Sequence, residues 1–138
     1  MQEKTKILIT GYNGYIGNAI GEYLKNNDYE IWGLGKSPNT RLNYIQVDLL
    51  NKEEIKKAKR LLPSFDTLIH TAALAHGQIP PNSETVISYN VKITKNIIEY
   101  FKDSINHLIF TSSVAVYGED KRFTSVTIHD SLRPSTDY

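Results

Sequence analysis

Short apolar runs alternate with amphipathic stretches along most of the chain. Residues 6–10 (KILIT) form a nearly continuous apolar run, the pattern of a strand covered on both faces. Residues 15–26 place Ile16, Ala19, Ile20, Tyr23 and Leu24 on one stripe at helical spacing. YEIWGLG (29–35) predicts a second strand, and LNYIQVDLL (42–50) contains a third. Residues 51–62 are amphipathic through Ile55, Ala58 and Leu62, and Pro63 stops the helix they predict. A fourth strand follows in DTLIHTAA (66–73), then a long helix over 83–102 and a fifth strand in HLIFTSS (107–113). Strands alternating with helices, with apolar strands, predict a doubly wound α/β fold on a parallel sheet. The expected strand order is 3-2-1-4-5, with a ligand at the carboxyl ends of the strands where that order reverses.

The long helix carries more apolar surface than one face requires. Val86, Ile87, Val91, Ile93, Thr94, Ile97, Ile98 and Phe101 fill an arc of roughly 180°, against the ~100° that suffices for a helix lying on a core. Either the helix is deeply buried, or its far flank packs on a second subunit. Asn90 falls inside the arc. A buried amide without partners costs about 1–3 kcal/mol, so its place there implies a specific hydrogen-bonding task.

Composition narrows the classes. At 138 residues the chain is long enough for one core, and 40% hydrophobic with 22% charged residues is ordinary for a globular domain. A net charge of +1 recruits neither nucleic acid nor an anionic membrane. No apolar run approaches the roughly 20 residues that span a bilayer, and the N-terminus enters a strand with no signal-peptide pattern. There is no cysteine, hence no disulfide framework or thiolate chemistry, which fits a cytoplasmic protein. His70, His76, His107 and His129 are scattered without metal-ligand spacing, so no metal site is expected.

The sharpest chemical signal is TGYNGYIG (10–17), which follows the first strand and opens the first helix. Gly11, Gly14 and Gly17 repeat at three-residue intervals. A turn without side chains lets a pyrophosphate approach the backbone at a helix N-terminus, whose N–H groups and dipole favour anions. Gly17 would let the helix pack close on the sheet. The second strand ends in GLGKSPNTR (33–41), with no acid to bind a ribose 2′-hydroxyl but with Lys36, Ser37 and Arg41. These residues are either a solvated loop or a cationic seat for a 2′-phosphate, and they tilt the cofactor expectation from NAD toward NADP.

With TGYNGYIG, VDLL, HTAA, YNVKITKNI and TSSVAVYG in this order, the chain resembles the extended short-chain dehydrogenase/reductases. Within them it is similar to the NAD-dependent epimerase/dehydratase family of UDP-galactose 4-epimerase type, from about residue 6 to the last residue. The resemblance implies that Gly11, Asn13, Gly14, Tyr15, Ile16 and Gly17 form the pyrophosphate loop. It implies that Asp48 and Leu49 contact adenine, although Asp48 could instead cap the helix beginning near Asn51. Ala72 and Ala73 would be the small residues along which the cofactor's ribose lies, and Asn90 would steady the active-site end of the sheet. Ser113 would hydrogen-bond the reacting sugar oxygen. Tyr138 would be the acid/base.

The chemistry so implied is proton removal from a sugar hydroxyl by Tyr138 while hydride passes to the nicotinamide. A tyrosine pKa near 10 must be lowered for this, and the family uses a lysine four residues on, a position this sequence does not contain. The expectation is therefore one NAD(P)-binding domain over 1–138 that is the N-terminal portion of a longer enzyme, truncated before the last strands and the substrate-binding region. Such a chain would bind dinucleotide without turning over a nucleotide sugar, the complete form being a homodimer. His76, in LAHGQIPPNSE (74–84), either faces substrate or is a surface histidine. Rival functions are a nucleotide-sugar dehydratase or 4-keto reductase, a non-catalytic dinucleotide-binding regulator, and a structural half that completes a sheet with another chain.

Overall fold

A computed structural model describes residues 4–74, 86–118 and 125–135. It contains strands β1 (Lys6–Thr10), β2 (Glu30–Gly35), β3 (Tyr44–Gln46), β4 (Phe65–His70) and β5 (Ile105–Phe110), with helices α1 (Tyr15–Asn26), α2 (Lys52–Leu61) and α3 (Val86–Phe101). The sheet is parallel throughout and ordered β3-β2-β1-β4-β5, as the alternation predicts. α1 spans the expected residues; β4 and β5 end three residues earlier than expected, where the chain leaves the sheet to form the loops that carry the site.

The two-residue period of β1 divides the interior into two layers. Leu8 joins Leu34, Leu68, Ile55, Ala58, Ile93, Ile97 and Phe101 beneath α2 and α3. Ile7 and Ile9 join Ile31, Ile69 and Tyr12 on the other face, with Ile20 and Leu24 of α1 packed against them.

One expectation needs correction, and two of the open alternatives are excluded. The stripe on α1 does not bury Ile16, Ala19 and Tyr23, which are exposed; the helix instead presents Gly17 and Gly21 to the sheet. The cause is Tyr12, whose ring fills the space that helix side chains would otherwise occupy. A Cβ on Gly21 would meet that ring at 2.1 Å, and one on Gly33 of β2 at 2.0 Å. Asp48 is not the cap of α2. Asn51 is, its side-chain oxygen accepting from the N–H groups of Glu53 and Glu54. Finally, α3 is not deeply buried all round: Val86, Ile93, Ile97 and Phe101 are inside, whereas Ile87, Val91 and Ile98 are exposed. The outward flank stays open to the second-subunit alternative. β5 shares this exposure through Leu108, Ile109 and Phe110, residues far less buried than their counterparts in β1 and β4.

Candidate functional site

β1 leads to β2 on one side of the sheet, and β4 lies on its other side, so the loops leaving β1 and β4 diverge at the carboxyl ends of these neighbouring strands. The divergence opens a cavity of about 350 Å³. Gly11, Asn13 and Gly14 line it from the glycine loop, and Lys36 and Ser37 from the end of β2. Asp48 and Leu49 line it after β3, and Ala72 and Ala73 after β4. Gly17 lies behind the loop, while Tyr15 and Ile16 are exposed on the first turn of α1.

The glycine loop is closed against the β4 loop backbone to backbone. Gly11 has φ +70°, and a Cβ there would stand 2.8 Å from the Ala72 nitrogen. A Cβ on Gly17 would stand 2.4 Å from the Gly11 carbonyl oxygen. Gly14, the N-cap of α1, offers no side chain to satisfy the first-turn N–H groups, and among the described residues no other side chain caps them. A bare backbone cradle at an uncapped N-terminus, opening into a cavity, is fitted to a diphosphate.

Asn13 ties this cradle to the loop after β2. Its Nδ2 donates to the Ser37 carbonyl (2.9 Å) and to the Tyr44 hydroxyl (3.0 Å), and its Oδ1 accepts from Asn39 (2.5 Å). The Tyr44 hydroxyl itself donates to the Ser37 carbonyl at 2.6 Å. At the cavity's far end Lys36 lies 2.9 Å from Oδ2 of Asp48, whose Oδ1 accepts from the Leu50 N–H. Partial burial pushes the Asp48 carboxyl up, but the Lys36 ammonium and the Leu50 N–H outweigh it and hold the group below the usual carboxylate range. Arg41 is committed elsewhere: it sits 4.6 Å over the Tyr12 ring and bonds Asn18 and Glu22. Of the cations after β2, Lys36 is therefore the one that lines the cavity.

The opposite wall hangs from α3. Asn90 clips the β4 loop by accepting from the Leu74 N–H (2.8 Å) and donating to its carbonyl (3.1 Å), which is the task its apolar surroundings imply. One turn on, the Thr94 hydroxyl meets Nε2 of His70 at 3.0 Å, and Nδ1 of the same ring meets the Thr10 hydroxyl at 2.6 Å. Burial pushes the His70 imidazole down to about 4. The unfolded chain would take up this proton near 6.5, so the part of the stability that His70 contributes is expected to be lost as pH drops from about 6.5 to about 4. This part is worth about 3 kcal/mol and should vanish from the urea-denaturation profile of His70→Asn.

The model of the NAD dependent epimerase/dehydratase family matches residues 7–138. The chain belongs to this family. It is 28% identical to a UDP-glucose 4-epimerase of Pisum sativum over 88% of its own length and 40% of the pea protein's. Its fold superposes with a TM-score of 0.79 on the Helicobacter pylori ADP-L-glycero-D-manno-heptose-6-epimerase, at 21% identity, over 99% of this chain and 46% of that one. A short-chain dehydrogenase/reductase superfamily protein from Agrobacterium tumefaciens with bound NAD gives the same score at 23% identity, over 96% of this chain and 40% of that one. The chain thus spans about 40% of the length of the curated relative it matches.

Two further positions to which the resemblance points are Ser113 and Tyr138. Ser113 lies just beyond β5 at the N-cap of a short 3₁₀ turn (Val114–Tyr117), half-buried, its Oγ accepting from the Ala115 N–H at 3.2 Å. That bond uses a lone pair of the oxygen and not the hydroxyl proton. Arg133 reaches back to this turn, its N–H donating to the Val116 carbonyl. Tyr138 and His76 lie outside the described residues. Among the described residues no cluster of side chains could hold a metal ion, and no helix is long and apolar enough to cross a membrane.

Pattern alone passes over Tyr89 and Ile93, which line the cavity from α3, and over Thr10 and His70 beneath it. Tyr89 and Ile93 are one turn apart, a spacing visible in the sequence once α3 is known to border the site. His70 reads as an interruption in an apolar strand, and only the partners of its two nitrogens disclose what it does.

Proposed function

We propose that this chain is the coenzyme-binding part of a longer nucleotide-sugar epimerase of UDP-glucose/galactose 4-epimerase type. The observation that supports this is the cavity itself, which runs from a loop bare of side chains at Gly11 and Gly14, at the N-terminus of α1, to the Asp48 carboxylate. Gly11, Gly14 and the first-turn N–H groups of α1 would bind the diphosphate, Asp48 and Leu49 the adenine, and Ala72 and Ala73 the ribose nearer the nicotinamide. When bound, the coenzyme supplies the acceptor and donor of hydride. Ser113 would hold the sugar oxygen through its hydroxyl proton, and Tyr138 would remove and return the proton of that oxygen. Dehydratases and keto reductases of the family share this pair, so the product formed from a nucleotide sugar distinguishes them.

Lys36 governs the choice of coenzyme. β2 ends without an acid to receive a 2′-hydroxyl, and Lys36 is the cation on the cavity wall, which favours NADP. Its ion pair with Asp48 in the free protein must loosen for a 2′-phosphate, so the preference is modest. Calorimetry should show tighter NADP(H) than NAD(H) binding, and Lys36→Ala should weaken NADP(H) by about 10-fold while leaving NAD(H) within about threefold. A preference for NAD, or equal losses for both coenzymes, would defeat the assignment. The chain alone is expected to bind coenzyme without converting UDP-galactose to UDP-glucose. Steady epimerisation by residues 1–138 in a coupled assay would show that nothing further is needed for turnover.

A further inference from the structure

Thr10 is fully buried at the end of β1, and among the described residues its hydroxyl has two hydrogen-bond partners: the Ala72 N–H, which donates to it at 3.3 Å, and His70 Nδ1 at 2.6 Å. The Ala72 backbone is the surface on which Gly11 rests. Whatever fixes the Thr10 hydroxyl therefore fixes the junction between the glycine loop and the β4 loop.

The two neutral tautomers of His70 differ in what they ask of this hydroxyl. With the proton on Nδ1, the ring donates to Thr10 Oγ1, and the Thr10 proton is left without an acceptor in a site closed to water. With the proton on Nε2, Thr10 donates to Nδ1 while its oxygen accepts from Ala72, and Nε2–H donates to Thr94. The Thr94 proton is less constrained, because Thr94 is half-buried on a helix and has solvent and its own backbone within reach. The second arrangement leaves no buried proton unplaced.

We propose that His70 is a positioning residue for the coenzyme pocket: held as the neutral Nε2–H tautomer, it orients the Thr10 hydroxyl so that Thr10 holds the Ala72 N–H against Gly11. The same ring, through Thr94, braces that junction on α3, one turn from the Asn90 clip on Leu74. Burial keeps the imidazole uncharged at neutral pH, and among the described residues no charged group contributes to that shift.

Two substitutions separate positioning from simple packing. In His70→Asn the side-chain oxygen stands where Nδ1 stood and can accept the Thr10 proton. In His70→Gln the amide reaches one bond further, toward Thr94, and leaves Thr10 without its acceptor. If His70 only filled space, the smaller asparagine would be the worse replacement. Positioning predicts the reverse order. Ala72 amide exchange should be about 10-fold faster in His70→Gln than in the native protein and within about threefold of it in His70→Asn.

Long-range proton–nitrogen NMR at pH 7 should show protonated Nε2 and bare Nδ1. Finding Nδ1–H or the imidazolium, or Ala72 exchange at least as fast in His70→Asn as in His70→Gln, would overturn the inference. Coenzyme affinity forms a further arm, resting on the dinucleotide function proposed above, in which His70→Gln should bind about 10-fold more weakly than His70→Asn. If the native chain binds neither NAD nor NADP, that function fails while the tautomer and Ala72 exchange still decide the role of His70.

Discussion

Gly17→Ala is expected to abolish coenzyme binding and to lower stability as well. The added Cβ would stand 2.4 Å from the Gly11 carbonyl oxygen and 2.9 Å from its carbon, and neither is a flexible side-chain end that could swing away. Relief requires either α1 to retreat from the sheet or the glycine loop to open, and both disperse the N–H groups that would face a diphosphate. Overpacking costs about 1–3 kcal/mol where a core can adjust. Backbone against backbone adjusts poorly, so a loss of at least about 100-fold in affinity is expected by calorimetry or nicotinamide fluorescence. Gly14→Ala is the informative companion. Its Cβ would meet one atom, at 3.1 Å, so the fold should survive while the cradle's floor is raised. Near-native coenzyme affinity in Gly17→Ala would mean that this bend does not hold the ligand.

Tyr12→Ala should produce the largest loss of stability, about 3–5 kcal/mol in urea denaturation, the range for removing a buried aromatic side chain. Tyr12 is 4% exposed and wedged between Gly21 and Gly33, two positions where side chains are missing because its ring is there. Removing it empties a space that neither neighbour can fill. Arg41, stacked on the ring, would lose its platform as well. Tyr12→Phe keeps the wedge and gives up only the hydroxyl, so it should cost less than about 1 kcal/mol. A small effect of Tyr12→Ala would show that α1 relaxes onto the sheet unaided, and the account of its glycine face would fall.

Residues 6–10 and 29–35 illustrate what was legible beforehand. Their apolar continuity sufficed for buried strands, and alternation with helices sufficed for a parallel sheet, because crossover connections allow few arrangements. The glycine spacing of residues 11, 14 and 17 was equally plain, since a backbone cradle needs its side chains removed at fixed local intervals. Tyr12 was not legible. In the sequence it is a polar aromatic inside a turn, and its burial depends on glycines in two other elements. Lys36 could be seen as a cation near the site, but its pairing with Asp48 could not, because the two meet only when β3 lies beside β2. Arg41 was counted with Lys36, yet the tertiary packing draws it to Tyr12, Asn18 and Glu22.

The division has one physical cause. Periodicity and glycine spacing are properties of a few adjacent residues, so the alternating strands and helices and the bare glycine loop can be inferred from the chain as a string. The partner of a buried ring nitrogen, an ammonium or a carboxamide is set by strand register and helix packing between residues far apart in that string. For His70, Lys36 and Asn13 these partners became visible only in the folded molecule.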